Sequence, residues 1–128
     1  MLGNSTVAAT LVTTDLERSK DFYGNKLGLK VDPGMSDENG VLYQAGNGTS
    51  LYLYKRPNPP VADHTLASFK VDNLEEEMTM LSQKGVVFEH YDMPNGIKTD
   101  EKGIATMGTA KSAWFKDPDG NILALLQM

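Results

Sequence analysis

Apolar and polar positions follow a pattern that occurs twice along the chain. Val7 to Thr13 is apolar and β-branched, which is typical of a strand, and the capping-box sequence Thr14-Asp15-Leu16-Glu17 follows it. The capping box predicts the start of a helix, and apolar residues at helical spacing continue to Gly28, where we expect the helix to end. The chain therefore begins with a strand and a capped helix.

Three strands are predicted after this helix. A short one is expected at Leu29 to Val31, and two longer ones at Val41 to Ala45 and Ser50 to Tyr54. Gly46-Asn47-Gly48 between the longer strands is typical of a hairpin turn. Arg56 to Pro60 is proline-rich and indicates a linker, so this first module spans about residues 5–57.

The same order of elements then starts again. Thr65 to Val71 is expected to be a strand, and Asp72-Asn73-Leu74-Glu75 is a second capping box, 58 positions after the first. The second helix is expected to end near Gly85. The second module spans about residues 63–128, and its further strands are expected at 86–91, 113–116 and 121–127, the last two joined by a turn at Asp117 to Gly120.

Two such modules in 128 residues predict an α+β fold, a single domain over residues 1–128 built from two βαβββ modules. A helix is expected to cover one face of each module's sheet. The other face must be buried against another part of the protein or form a cleft. Pairing the two sheets gives a half-barrel with a concave interior, which is a favourable place for a ligand.

One long segment does not fit the repeat. Asp92 to Ser112 exceeds the usual length of a loop in a compact domain. Two interpretations stay open: the segment closes over the cleft as a lid, or a part near Ile104 to Met107 is a strand that completes the second module.

Composition excludes several classes of function. The net charge of −5 argues against a nucleic-acid partner, because phosphate neutralisation needs clustered Lys and Arg. The chain has no cysteine, which excludes disulfides and thiolate chemistry. No stretch approaches the ~20 apolar residues of a membrane span, and the first residues lack the features of a secretory signal. We therefore expect a cytoplasmic protein without a membrane partner.

Two stretches, Val12 to Val31 and Trp114 to Leu125, have the character of family motifs. They are similar to the opening and closing motifs of the vicinal oxygen chelate superfamily, the glyoxalase and bleomycin-resistance group. With the linker and second helix, the resemblance covers nearly the whole chain. It implies the fold but no single reaction, because the superfamily includes lyases, isomerases, dioxygenases, thiol transferases and binding proteins.

The resemblance also implies where a metal would be held. Enzymatic members use His and Glu side chains at four strand positions, which in this chain are Ala8, Tyr52, Leu66 and Ala124. Alanine and leucine have no ligand atom, and tyrosine is a poor ligand without strong activation. We therefore expect no metal site and no other cofactor.

Aromatic residues and one histidine are the remaining candidates for a site. Strand alternation directs Tyr52 and Tyr54 toward the expected cleft, with Tyr43 on a neighbouring strand beside them. These rings either bind a small molecule or fill space left by the missing metal. His64 lies either at the cleft rim or in solvent at the start of a strand, and Trp114 either stacks on a ligand or belongs to the core.

Three functions are weighed against each other. The first is a metal-independent small-molecule binding protein of the glyoxalase/bleomycin-resistance type, whose ligand is aromatic or cationic. The second is a glyoxalase-like lyase or isomerase with a non-standard site at His64, Tyr52 and Tyr54, so whether the chain is an enzyme stays open. The third is a structural or regulatory module with a filled cleft. The resemblance further implies a homodimer. The expected cleft residues are Ala8, Tyr43, Tyr52, Tyr54, His64, Leu66, Trp114 and Ala124.

Overall fold

Two four-stranded mixed sheets contain most of the regular structure. The computed structural model describes residues 1–94 and 96–128, and the chain divides into two units, Met1–Val61 and Ala62–Met128. Each unit contains one sheet and one main helix. Among the described residues, no helix is long and apolar enough to cross a membrane.

In the first unit, the sheet has the strand order β1-β4-β3-β2. β1 and β4 are parallel, and the other two pairs are antiparallel. The helix α1 follows β1 and continues directly into a π-helical segment at Asp21–Lys26. The elements are β1 (Ala8–Thr13), α1 (Leu16–Lys20), β2 (Lys30–Val31), β3 (Gly40–Gln44) and β4 (Ser50–Lys55).

The second unit repeats this topology with the strand order β5-β8-β7-β6. β5 and β8 are parallel, and the other pairs are antiparallel. α2 begins at Leu74, 58 positions after α1 begins at Leu16, so the predicted repeat is confirmed. The elements are β5 (Thr65–Lys70), α2 (Leu74–Gln83), β6 (Ala105–Met107), β7 (Ala110–Lys116) and β8 (Ile122–Gln127).

The helix caps lie one residue later than the capping-box pattern suggests. The Asp15 carboxylate accepts a hydrogen bond from the Arg18 backbone N–H at 3.1 Å. In the second unit the Asn73 side chain accepts one from the Glu76 N–H, also at 3.1 Å. Asp and Asn are among the best N-cap residues because their short side chains reach these otherwise unpaired donors.

The prediction of a strand at 86–91 is wrong. Phe88 forms an isolated bridge with Phe115, and the chain then leaves the sheet. The Thr99 hydroxyl accepts a bond from the Tyr91 N–H at 2.8 Å, and the Thr99 N–H donates to the Tyr91 carbonyl at 2.9 Å. The backbone N–H and carbonyl of Tyr91 thus form hydrogen bonds within the loop and need no partner on a neighbouring strand. Instead β6 pairs with β7, which confirms a strand near Ile104 to Met107.

Each sheet packs one face against its own helix. In the first unit the Thr13 and Ser19 hydroxyls are 2.6 Å apart, and the Tyr23 and Tyr43 rings pack with centroids 5.9 Å apart. In the second, the Gln127 side chain accepts a bond from the Leu74 N–H at the start of α2. Because side chains alternate along a strand, these contacts decide which residues face away from each helix.

Candidate ligand-binding face

The sheet of the first unit has a second face, opposite α1, which we call the open face. Its residues alternate with Thr13 and Tyr43, which contact the helix. Strand register arranges them in three rows across the sheet. Row one is Ala8, Ser50, Gln44 and Lys30; row two is Thr10, Tyr52 and Leu42; row three is Val12, Tyr54 and Gly40.

Two parallel tyrosine rings dominate this face. The Tyr52 and Tyr54 rings have centroids 6.1 Å apart and planes 10° from parallel, and both side chains are partly exposed. Partly exposed phenol rings suit contact with a small aromatic molecule. The structure thus brings Tyr52 and Tyr54 together on one face, with Ala8 in a neighbouring row.

Gly40 permits the position of Tyr52. A Cβ atom built on Gly40 would overlap the hydroxyl and the ring of Tyr52, so the ring extends from β4 across the backbone of β3. Glycine is the one residue without a Cβ, and such close approach of a side chain to a strand is a recurrent use of glycine. Any larger residue at position 40 would displace the ring.

Tyr43 does not belong to this face, which corrects the expectation that it joins the other tyrosines. It pairs with Leu51 in the strand register, packs on Tyr23 and is fully buried. Within the described part of the chain, its hydroxyl has no hydrogen-bond partner. Burial raises the pKa of the Tyr43 phenol, and the negative charge of Glu17 raises it further. Tyr43 is a core residue on the helix side of the sheet.

In the second unit the chain itself covers the corresponding face. Trp114 and Ala124 are buried there, with Tyr91 and Ile97 packed against them. The Tyr91 ring meets the Trp114 ring edge-on at 5.6 Å. The Trp114 Nε1 donates to the Thr65 hydroxyl at 3.0 Å, so the polar atom of the indole is also satisfied. The structure favours the core role for Trp114.

Leu66 and His64 lie at an irregular start of β5. The register shifts between Thr65 and Ala67, which makes Leu66 the extra residue of a bulge, and Ser68 is the residue paired with Ala124. His64 precedes the strand and is exposed. Its Nδ1 lies 3.6 Å from a carboxylate oxygen of Asp63, which is also exposed. The His64 imidazole is therefore exposed to solvent, and a place at the rim of a cleft stays a prediction.

The residues at the family's metal positions do not fit a metal. Ala8, Leu66 and Ala124 offer no donor atom, and the Tyr52 hydroxyl lies over Gly40. Across residues 1–94 and 96–128, no group of three or more His, Cys, Asp or Glu side chains is arranged to hold an ion. No chemical step through a metal can be derived from this donor set.

Two surface grooves lie on the helix sides of the units. One, of about 540 Å³, lies beside α2 and the turn before β6, where the Lys102 ammonium is 3.9 Å from the Glu75 carboxylate. The other, of about 500 Å³, lies at the start of α1 and carries both acidic and basic side chains. In the first groove two charged groups already partner each other, and neither groove contains an aromatic residue, so the open face is the better candidate.

Several polar or small members of the open face were not predicted from the sequence, among them Gln44, Ser50 and Lys30. Alternation from Tyr52 would have given Ser50 directly. Gln44 and Lys30 required the pairing of β4 with β3 and of β3 with β2, which is a tertiary property. No sequence signal distinguishes Gly40 from the other glycines.

Comparison with known proteins agrees with this architecture. The sequence profile of the Glyoxalase/Bleomycin resistance protein/Dioxygenase superfamily matches residues 6–125. The chain belongs to this superfamily. Among curated proteins, none is similar at a significant level.

Solved structures similar to this superfamily member share its fold. A glyoxalase/dioxygenase from Nostoc punctiforme is 19% identical with a TM-score of 0.70, and the match covers 97% of this chain and 90% of the other. A bleomycin resistance determinant encoded on transposon Tn5 is 21% identical with a TM-score of 0.71, covering 97% and 98%. TnmS3, an antibiotic binding protein from a Streptomyces strain, is 23% identical with a TM-score of 0.67, covering 99% and 98%.

Proposed function

We propose that this superfamily member is a metal-independent small-molecule binding protein whose ligand is planar and aromatic. The observation that carries the proposal is the parallel, partly exposed pair of Tyr52 and Tyr54 on the open face. Small-molecule binding recurs on the scaffold of this superfamily. The side chains at the family's four metal positions do not fit a metal ion, which supports binding without a metal.

Stacking provides a suitable driving force. An aromatic ring packed on a tyrosine contributes about 1 kcal/mol beyond the burial of its area. The rings are parallel and partly exposed, which favours a planar ligand. The names of two similar structures, an antibiotic binding protein and a bleomycin resistance determinant, support binding as a function of this scaffold.

The alternative, a glyoxalase-like lyase or isomerase, has less support. Its candidate base, His64, is exposed and lies beside an equally exposed Asp63. A general base acts on a proton within hydrogen-bond reach in a site that holds the substrate. A solvated histidine before a strand does not by itself provide such a site.

A ligand screen with three planar naphthalene probes tests the proposed function: 2-naphthoate, 2-naphthamide and 2-naphthylmethylammonium. At least one should raise the thermal midpoint, since a ligand that binds the folded state stabilises it. Calorimetry of the best probe should show about 10-fold weaker binding for Tyr52→Leu and for Tyr54→Leu. Tyr52→Phe is the matched control, and it keeps the ring and most of the affinity.

The same experiment tests metal independence. Pre-treatment with a chelator should leave both the affinity and the thermal midpoint unchanged, because a structural or ligand-binding metal would couple its removal to both. Absence of binding by all three probes, or unchanged affinity after loss of both rings, would refute the proposed function. Chelator-sensitive binding would refute metal independence alone.

A second copy of the chain is part of the proposal. Members of this superfamily commonly act as symmetric pairs, and both units of this chain expose apolar side chains. Val7 and Val61 in the first unit and Val87 in the second are each more than three-quarters exposed. Burial of such residues between two copies is a common reason for dimer formation.

A further inference from the structure

We propose that the ligand of the open face is an aromatic anion, and that Lys30 and Gln44 bind its charged end while Gly40 fixes the tyrosine that binds its ring. This inference rests on the proposed function and specifies the ligand class for the same face. It departs from the expectation of a cationic ligand.

The Tyr52 side chain is tilted along the sheet. Tyr52 is directly opposite Leu42 in the register, but its hydroxyl and outer ring lie over Gly40, which belongs to row three. The ring therefore leans along the sheet toward Tyr54 and away from row one. This direction is available because residue 40 has no Cβ.

Row one is the part of the open face from which the Tyr52 ring is tilted away. Row one begins with two small residues, Ala8 and Ser50, and continues with Gln44 and Lys30 toward the edge strand β2. Adjacent strands are about 4.8 Å apart, so the row extends about 14 Å across four strands. Ala8, Gln44 and Lys30 are exposed, and Ser50 is partly exposed. A planar ligand packed on the tyrosines therefore has room to extend over the small residues Ala8 and Ser50 toward Gln44 and Lys30.

The formal charge of the open face lies at one end of row one. Of the ten residues in the three rows, all of which the structure describes, Lys30 alone carries a formal charge at neutral pH. The neighbouring Gln44 amide supplies N–H donors. Asp32, which follows β2, accepts a hydrogen bond from the Gly34 N–H at 3.1 Å within its own turn. A carboxylate at this end of the ligand would meet an ammonium and an amide, whereas a cation would meet like charge.

The three naphthalene probes separate this inference from the proposed function, because they share one ring system and differ in the charge of one substituent. By calorimetry, 2-naphthoate should bind most tightly, 2-naphthamide less tightly and 2-naphthylmethylammonium least tightly. The affinity for 2-naphthoate should be about 10-fold higher than that for 2-naphthylmethylammonium. Lys30→Met should weaken 2-naphthoate about 10-fold and leave 2-naphthamide within about 3-fold. Lys84→Met, an exposed lysine at the end of α2, is the matched control and should change neither affinity.

The role of Gly40 has its own matched pair. Gly40→Ala should weaken all three probes, since the displaced Tyr52 ring can no longer lie parallel to Tyr54. Gly46→Ala should have little effect, because no atom lies within 4 Å of a Cβ built there. Circular dichroism checks the folding of both variants. If Gly40→Ala does not fold, the lysine variants still decide the ligand class.

The outcomes are distinguishable. If no probe binds, the proposed function fails. If the probes bind equally, or the ammonium binds tightest, or Lys30→Met leaves 2-naphthoate binding unchanged, the inference of an anionic ligand fails while the proposed function stands. If folded Gly40→Ala binds as well as the parent, the positioning role of Gly40 is wrong.

Discussion

At the scale of single residues, Tyr43 has a buried hydroxyl for which the described residues supply no hydrogen-bond partner. Such a group loses its hydration without compensation, so its removal should not destabilise the fold. We expect the Tyr43→Phe variant to be about as stable as the parent or more stable. Its free energy of unfolding should be lower by no more than about 0.5 kcal/mol, and it could be higher by up to about 1 kcal/mol. Urea denaturation measures this, with Tyr43→Ala as the control, which should cost about 3–5 kcal/mol.

The same substitution should change the alkaline behaviour. The pKa of Tyr43 is raised above its ordinary value of 10.0 by burial and by Glu17. Above pH 10 the unfolded chain therefore ionises first, and stability falls as pH rises toward the folded-state value. Tyr43→Phe should show a shallower loss in this range. A destabilisation of about 2 kcal/mol at neutral pH would instead mean that the hydroxyl makes a bond.

Residue positions on the open face were partly predictable. Alternation along a single strand correctly placed Tyr52 and Tyr54 on one face. Tyr43 lies on the next strand, and its side depends on the hairpin register, in which it pairs with Leu51. A register one residue different would have turned Tyr43 to the other face. The sequence marks the turn at 46–48 but does not determine which residues pair across it.

Among the elements, the turn between Asp100 and Ile104 precedes β6 and forms one wall of the groove beside α2. The Asp100 carboxylate accepts hydrogen bonds from the Lys102 and Ile104 N–H groups, both at 2.9 Å. These bonds, that from Ile104 above all, lower the pKa of Asp100 from its ordinary value of 3.8. The contribution of the turn to stability is therefore present above pH 3.8 and is lost as pH falls through the lowered value.

We expect the Asp100 carboxyl to titrate below 3.8 in carbon-detected NMR. Asp100→Ala should lower the urea midpoint at neutral pH, and the difference from the parent should shrink under strongly acidic conditions. Glu101→Ala, at the exposed neighbouring position, is the control and should have little effect. An Asp100 titration at or above 3.8 would show that these hydrogen bonds do not hold the turn in solution.

Elements with local signals were the most predictable. Both helices were predicted because capping boxes at Thr14 to Glu17 and Asp72 to Glu75 precede apolar periodic segments, although the residues that cap the helices are Asp15 and Asn73. The prediction of a strand at 86–91 failed although the alternation at Val86 and Phe88 is real, both being buried. An isolated bridge between Phe88 and Phe115 joins this stretch to the sheet, with a hydrogen bond from the Glu89 N–H to the Trp114 carbonyl, and no ladder follows at 86–91. Burial produces the alternating pattern whether or not backbone pairing follows.

At the scale of the whole molecule, the two units are alike in topology and unequal in length. β4 begins 34 residues after α1 begins, whereas β8 begins 48 residues after α2 begins. The extra chain contains Tyr91 and Ile97, which cover the face of Trp114 and Ala124. The duplication was predictable from the capping boxes, but the use of the inserted residues as cover required the tertiary packing. Duplication thus supplied two similar sheets, and the insertion left one of them as the better candidate for a ligand.

We expect the whole chain to form a homodimer. Val7, Val61 and Val87 expose apolar surface that is costly to keep hydrated, and a stable dimer buries about 800 Å² of each partner. Sedimentation equilibrium at about 10 μM should give twice the mass of one chain, and dissociation should appear on dilution. Val7→Asp and Val87→Asp test the two units separately, because a charge at the interface must be desolvated and should shift the equilibrium toward the single chain. A single-chain mass at every concentration up to about 1 mM would show that these valines are merely exposed.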